Sequence, residues 1–153
     1  MSEKKWKVLI VTILCIFTLF LVYTFFPVNI IPKAEYSSVN ADYVLINGEE
    51  VTLNIAQTNE IVDILKQYKA HRTYNYKPTE YYEYDPVIYM VFLFRDDRYN
   101  RTTAGLALNL SNDHQFATNT NCDWDKRYKQ IYCGKELMDR IMSVVSPEVQ
   151  YQY

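Results

Sequence analysis

The apolar residues of this chain begin with one long block. From Val8 to Phe26, nineteen consecutive residues carry no charge. At about 1.5 Å per residue a helix of this length measures about 28 Å, close to the thickness of a bilayer core. Trp6 and Tyr23 lie near its ends, where aromatic residues meet the membrane surface, and Pro27 ends it. The block predicts a single transmembrane helix over residues 8–26.

The charges beside this block predict its orientation. Lys4, Lys5 and Lys7 precede it, whereas only Lys33 follows within fifteen residues. The positive-inside rule therefore leaves residues 1–7 in the cytoplasm and exports the C-terminal part across the plasma membrane as a signal-anchored, single-pass protein. A cleaved signal peptide is the alternative, although its apolar core is usually about 7–15 residues and ends close to a small-residue cleavage site.

Beyond the block the pattern changes to short periodic segments. Residues 27–40 contain Pro, Ser and Asn without an apolar period, which predicts a linker. An exported domain follows over residues 41–147, with a tail at 148–153.

The exported segment opens with a predicted β-hairpin. Two β-branched runs, Ala41–Ile46 and Glu50–Ile55, flank Asn47-Gly48, the dipeptide that best adopts the positive φ angles of a type I′ turn. An amphipathic helix should follow, with Thr58 as its N-cap and basic residues at its C-terminal end. Its apolar positions recur at i, i+3, i+4 and i+7, namely Ile61, Ile64, Leu65 and Tyr68.

The second half of the domain reads as strands and a final helix. Val87–Phe94 is eight apolar residues without interruption, which predicts a central strand covered on both faces. The alternating segment Thr102–Leu110 predicts its neighbour, and residues 115–121 and 127–132 are weaker strands. A last helix should begin after Gly134 and end before Pro147. This order predicts an α+β fold, a small antiparallel sheet with the helices packed against one face.

The order of elements resembles that of small Gram-positive membrane-anchored surface proteins and lipoprotein-like domains of unknown function. In these an isoleucine-rich helix such as Glu60–Lys69 precedes a strand that ends in an acidic turn such as Phe94–Asp97. The resemblance covers most of residues 42–145 and implies no functional residue.

Charge and glycine content exclude several classes of function. The net charge of -2 divides into +3 over residues 1–33, with four Lys against Glu3, and -5 over the rest, with twelve Lys and Arg against seventeen Asp and Glu. An acidic exported part would be repelled by nucleic acid and by anionic lipid headgroups. Three isolated glycines supply neither GxGxxG nor a P-loop, and no cofactor is predicted.

Tyrosine is the one unusual component, with fifteen residues. Five of them fall within twelve positions, at Tyr74, Tyr76, Tyr81, Tyr82 and Tyr84. Tyrosine offers a rigid apolar face with a polar tip, so the cluster predicts a binding loop for a protein or an envelope polymer. The alternative is that these rings simply continue the alternation of the central strand and cover the edge of the sheet.

The cysteines predict one disulfide. Cys122 and Cys133 are the only two in the exported part, where oxidation is permitted, and a hairpin between them would place them face to face. Two free thiols are the alternative. Cys15 lies inside the apolar block. The residues before it, Ile13 and Leu14, are too large for a lipoprotein cleavage site.

No catalytic residue or metal site is predicted, and three hypotheses for function remain. The first is a non-enzymatic interaction module that uses the tyrosine cluster. The second is a hydrolase or redox enzyme that uses Asp113, His114 and the region of Cys122 and Cys133. The third is an accessory or immunity-type membrane protein whose membrane helix itself contacts a partner. His71 and a cation site built from the loop acids Asp85, Asp96, Asp97 and Asp113 are weaker candidates.

Overall fold

The strands of this chain form one antiparallel sheet, as seen in a computed structural model that describes residues 3–73, 87–119 and 128–149, without the side chains of 119 and 146–149. In chain order the elements are α1 (Glu3–Phe25), β1 (Val28–Asn29), β2 (Ser38–Ile46), β3 (Glu49–Glu50), α2 (Ile55–Gln67), β4 (Lys69–Arg72), β5 (Ile88–Asp96), a 3-10 turn (Asp97–Tyr99), β6 (Arg101–Leu110), β7 (Gln115–Asn119), β8 (Lys129–Ile131) and α3 (Gly134–Val149). The eight strands lie in the order β1-β4-β8-β7-β6-β5-β2-β3. The predicted α+β fold is confirmed.

The hydrophobic core lies between one face of the sheet and the helices α2 and α3. Every second residue of β5, from Ile88 to Phe94, is fully buried, and the β6 partners of the first three, Leu110, Leu108 and Leu106, are buried with them. The helices contribute Ile61, Leu65, Leu137 and Ile141 to the same cluster. The intervening residues of β5 are only half-buried. The strand is thus interior to the sheet, as predicted, but only one of its faces is completely covered.

The Asn47-Gly48 turn is confirmed, and the hairpin around it is shorter than predicted. Both turn residues have positive φ angles, 51° and 84°, which suit the predicted dipeptide. The second strand, β3, contains only Glu49–Glu50, not Glu50–Ile55. Residues 51–53 follow without regular structure, and Asn54 then caps the next helix.

The N-cap of α2 is Asn54, so the prediction of Thr58 is wrong. The Asn54 side chain accepts a hydrogen bond from the Gln57 backbone N–H at 2.9 Å, and the Gln57 side chain accepts one from the Asn54 N–H at 3.0 Å. This reciprocal pair is a capping box. Thr58 is buried one turn later, where its hydroxyl donates to the Asn54 carbonyl.

Residues 27–40 are not a simple linker. Val28 pairs with Ala70 at the edge of the sheet, Ile30 is 1% exposed within the core, and β2 already begins at Ser38. A segment of two paired residues and one buried side chain has no apolar period, so its packing is not visible in the sequence pattern.

Two further boundaries differ from the prediction. Lys69–Arg72 leaves the helix and forms the strand β4 between β1 and β8. The last helix, α3, continues through Pro147 to Val149, where the missing N–H of proline affects only the final turn. At its start, a Cβ added to Gly134 would lie 2.3 Å from Gln115 Cβ. Glycine therefore lets α3 begin directly against β7.

Candidate functional site

The two faces of the sheet differ in character. Residues paired across antiparallel strands project to the same side, so the register defines rows of side chains that cross the sheet. On the helix side one row runs through Val44, Met90, Leu108, Ala117, Lys129 and Arg72. On the opposite face the adjacent row runs through Leu45, Tyr89, Asn109, Phe116, Gln130 and His71. The face turned away from the helices therefore carries aromatic and amide side chains.

Four aromatic side chains on this opposite face, Tyr43, Tyr89, Phe116 and Tyr128, are here called the aromatic face. The Tyr43 and Tyr89 rings meet edge to face with centroids 6.1 Å apart, and those of Phe116 and Tyr128 are 5.3 Å apart. Tyr43 is 38% exposed, and the other three are half-buried. Asn109 lies between the two ring pairs, since it is paired with both Tyr89 and Phe116, and Ala107 lies in the neighbouring row.

The aromatic face can hold a ligand by stacking and by hydrogen bonds from its rim. Rings at fixed centroid distances offer rigid apolar area that loses little entropy on binding, and tyrosine hydroxyls add polar contacts. The same face also carries His71, in the row with Phe116 and Gln130, and the His114 ring stacks on Phe116.

The predicted tyrosine cluster, Tyr74, Tyr76, Tyr81, Tyr82 and Tyr84, lies outside the described residues. The chain leaves the described part beside the aromatic face, where the Thr73 hydroxyl donates to the Tyr128 carbonyl at 2.6 Å. It re-enters at Val87, whose carbonyl accepts from Asn47 N–H at 2.8 Å. The described residues on either side of the tyrosine-rich segment, Thr73 and Val87, are thus bonded to neighbouring parts of the domain, and the role of the segment in binding stays a prediction.

The disulfide between Cys122 and Cys133 also stays a prediction, because Cys122 lies outside the described residues. Cys133 is exposed, has a φ of 55° and immediately precedes α3. Its backbone carbonyl accepts from the Leu137 N–H, which closes the first turn of the helix. Cys15 lies on the exposed surface of α1.

His114 and Asp113 lie in the turn between β6 and β7. His114 exchanges hydrogen bonds with Ser111 and stacks on the Phe116 ring at 5.8 Å, whereas Asp113 is exposed. The close contact of Gly134 with Gln115 brings the chain at Cys133 near the chain at His114. Cys133 and His114 thus lie on neighbouring segments, and the enzyme function remains a hypothesis.

The loop acids do not gather into one site. Asp96 and Asp97 lie in the connection from β5 to β6, and Asp113 follows the far end of β6, so a ten-residue strand of about 33 Å separates them. Asp85 lies outside the described residues. Across residues 3–73, 87–119 and 128–149, no group of three or more His, Cys, Asp or Glu is placed to hold a metal ion.

Asp96, one of the loop acids of the candidate cation site, is buried. Its carboxylate accepts from Arg98 Nε and Nη2, both at 3.0 Å, and from the Arg98 backbone N–H at 3.2 Å. These hydrogen bonds to Arg98 hold the pKa of Asp96 below its usual value. Asp97 accepts from the hydroxyls of Ser37 and Ser38 at 2.9 Å, which ties the start of β2 to the same turn.

The end of α1 is docked on the edge of the sheet. Arg72 Nη1 donates to the Tyr23 carbonyl at 3.2 Å, and its guanidinium lies 4.5 Å from the centre of the Tyr23 ring. Tyr132 donates from its hydroxyl to the Phe25 carbonyl at 3.0 Å. Since the last carbonyls of a helix lack partners within the helix, these two bonds satisfy groups that would otherwise need water.

The same junction places His71 between two rings. Its centroid lies 5.5 Å from that of Phe25 and 5.2 Å from that of Tyr132. His71, a weak candidate for chemistry in the sequence, thus packs between the end of α1 and the sheet.

No family model, curated protein or solved structure matches this chain. Sequence reasoning placed the aromatic site in one segment and missed the aromatic face, whose members come from the three strands β2, β5 and β7 and from the residue just before β8. Tyr43 and Tyr89 occupy alternating positions in predicted strands, but only the register brings them together.

Proposed function

We propose that this protein is a single-pass membrane protein whose C-terminal domain is a non-enzymatic interaction module outside the cytoplasm. The observation that carries the proposal is the aromatic face, which gathers rings from four segments on the side of the sheet opposite the helices. The ligand is a partner protein or an envelope polymer, as the sequence predicts for the tyrosine cluster.

The anchoring part of the proposal rests on α1. It has 23 residues, is long and apolar enough to cross a membrane, and only Thr24 among its residues is buried. Its exposed apolar side chains would be unfavourable in water and are favourable in lipid. The lysines at its N-terminal end favour a cytoplasmic N-terminus.

The binding part of the proposal rests on the composition of the aromatic face. Tyrosine and phenylalanine are enriched at the centres of recognition surfaces, where rigid rings fill pockets or stack on flat groups. Buried Asn109 and Thr118 lie beside the rings on the same face, so apolar and polar groups alternate over a short distance.

Photo-crosslinking in intact cells tests the proposal. A benzoylphenylalanine introduced at Tyr43 in the full chain should yield one discrete adduct, with either a protein or an envelope polymer. The matched control is the same probe at Ile55, which is 77% exposed on α2 and lies away from the aromatic face. Replacing Tyr81, Tyr82 and Tyr84 by Ser should reduce the Tyr43 adduct by about tenfold if the predicted loop contributes one or two hot-spot rings.

Two results would contradict the proposal. Equal adducts from positions 43 and 55 would show non-specific proximity, and no adduct from position 43 would remove the aromatic face as a binding surface. An adduct that survives the three serine substitutions would confine the site to the aromatic face and reject the tyrosine cluster.

A further inference from the structure

Asn109 places a buried amide in the middle of the aromatic face. It is paired with Tyr89 on one side and with Phe116 on the other, and only 8% of the residue is exposed. Among the described residues its side-chain amide has no hydrogen-bond partner. A buried amide without partners is unfavourable, because it loses its hydrogen bonds to water and gains none in return. An unsatisfied amide between two aromatic rings indicates a position that a ligand completes.

Rings and amides alternate along this row of the sheet. From β5 to β4 the row runs through Tyr89, Asn109, Phe116, Gln130 and His71. Neighbouring strands lie about 4.8 Å apart, so the three ring-bearing positions follow one another at about 9.6 Å. This period is close to the length of an extended disaccharide. A linear chain of sugars that crosses the strands would therefore place one sugar on a ring and the next beside an amide.

The surface around these rings is uncharged, although residues 34–153 have a net charge of -5. Among the described residues, three adjacent rows on this side of the sheet contain no Asp, Glu, Lys or Arg. Their members are Leu45, Tyr89, Asn109, Phe116, Gln130 and His71, then Tyr43, Val91, Ala107 and Thr118, then Asn40, Leu93 and Gly105. A charged polymer or peptide would find no opposite charge on these rows. Their rings, amides and hydroxyls are complementary to a neutral ligand that carries many hydroxyl groups.

We propose that the aromatic face binds a neutral polysaccharide strand, which crosses the sheet from the Tyr43 and Tyr89 rings toward Phe116. The inference rests on the proposed function, whose ligand it narrows to the carbohydrate of an envelope polymer. A pyranose ring has polarised C–H groups on its faces, which stack on the negative face of an aromatic ring, and hydroxyl groups around its edge. The Asn109 amide can donate to and accept from these hydroxyls, so the ligand supplies the partners that the described chain lacks.

Isothermal titration calorimetry of the full chain tests this inference in a polyoxyethylene detergent, which contains no sugar. Chitohexaose is the probe, because it is an extended and neutral hexasaccharide. Deacetylated chitohexaose is the comparison, because its amines add positive charge to the same backbone. It should bind at least tenfold more weakly than chitohexaose, since the aromatic face offers no anion to the amines. No binding of chitohexaose, or equal binding of both compounds, overturns the proposal.

Asn109→Leu removes the amide and keeps a branched side chain. It should lower the affinity for chitohexaose about tenfold, because a hydrogen-bonded contact to the sugar is lost. It should also raise the urea midpoint of unfolding, because an unsatisfied polar group leaves the interior. A purely structural amide would show the opposite change in stability and no change in affinity, and that result would reject the role given to Asn109.

Tyr43→Ser provides a second variant, since Tyr43 is 38% exposed and its replacement should not unfold the domain. Loss of one stacking ring should lower the affinity for chitohexaose about fivefold. Tyr99→Ser is the matched control, because it makes the same change at a tyrosine that is 67% exposed on the 3-10 turn beyond β5. It should leave the affinity unchanged. Equal effects of the two substitutions overturn the proposal.

The Tyr43 photo-adduct separates failure of this inference from failure of the proposed function. An adduct with a polymer, whose mobility changes on digestion with an endo-β-1,4-glycosidase, would support both. A discrete adduct with a protein would support an interaction module and overturn the polysaccharide ligand. The absence of any adduct from position 43 would refute the aromatic face as a binding surface, and the polysaccharide with it.

Discussion

Asp96 shows how one carboxylate can hold a turn. It ends β5, caps the short 3-10 turn through the Arg98 N–H, and forms two side-chain bonds with the Arg98 guanidinium. The four consecutive charged residues from Arg95 to Arg98 are typical of a solvated loop. The side chain of Asp96 is nevertheless 4% exposed, because its three bonds satisfy the carboxylate without water.

The lowered pKa of Asp96 predicts a loss of stability in acid. Because the folded state binds the proton less readily than the unfolded state, the stabilising contribution is complete above the usual carboxyl pKa of about 4 and is lost as the pH falls through the lower folded value. Asp96→Asn should lower the free energy of unfolding at pH 7 and make it less sensitive to pH between 5 and 2. Urea unfolding of the full chain in neutral detergent at several pH values measures both effects.

Asp113→Asn provides the control for this measurement, since Asp113 is an exposed acid at the other end of β6. It should change neither the stability nor its pH dependence. A pH profile of Asp96→Asn that coincides with the unaltered chain would contradict the role given to Asp96.

At the scale of secondary-structure elements, α2 begins at a different residue from the one that the sequence pattern predicts. The capping box of Asn54 and Gln57 satisfies the first backbone N–H groups of the helix. Asn54→Ala should therefore cost about 1 kcal/mol in the free energy of unfolding. Asn59→Ala is the matched control, because the same change at an exposed interior position of α2 should stabilise by a few tenths of a kcal/mol. Equal effects of the two substitutions in urea unfolding would place the start of the helix elsewhere.

Elements with a long period were predictable, and short ones were not. The stripe Ile61, Ile64 and Leu65 and the alternation of Thr102–Leu110 each repeat over several turns or pleats, so local sequence defines them. β1 and β4 contain two and four residues, and they exist because neighbouring strands supply their hydrogen bonds. Such short strands form only within the assembled sheet, so no local sequence pattern predicts them.

The recognition chemistry that the sequence suggests stays a prediction, and the position of the aromatic face was not predictable. Tyrosine enrichment pointed to recognition, yet the aromatic face joins Tyr43, Tyr89, Phe116 and Tyr128 from segments up to 85 positions apart. Their proximity depends on strand register. The cations Arg72 and Lys129 illustrate the same limit, since their pairing follows from β4 lying beside β8.

At the scale of the molecule, α1 is a docked helix and not a free tether. Its final turn is bonded to Arg72 and Tyr132, and only Thr24 in the whole helix is buried. The preceding turns contact lipid in the proposed topology, or else contact a membrane partner, as in the hypothesis of an accessory or immunity-type protein. The two possibilities differ in whether partner binding depends on the sequence of the exposed turns of α1.

Replacing residues 8–22 by an unrelated apolar helix of equal length separates them. The exchange retains Tyr23 and Phe25, so the junction with the sheet stays intact, and it retains the hydrophobic length that spans a bilayer. If α1 only anchors, the chain should stay in the carbonate-washed membrane and the Tyr43 adduct should persist at its original yield. Loss of that adduct from a chain that is still inserted would show that the exposed turns of α1 themselves contact the partner, because no residue of the aromatic face is changed.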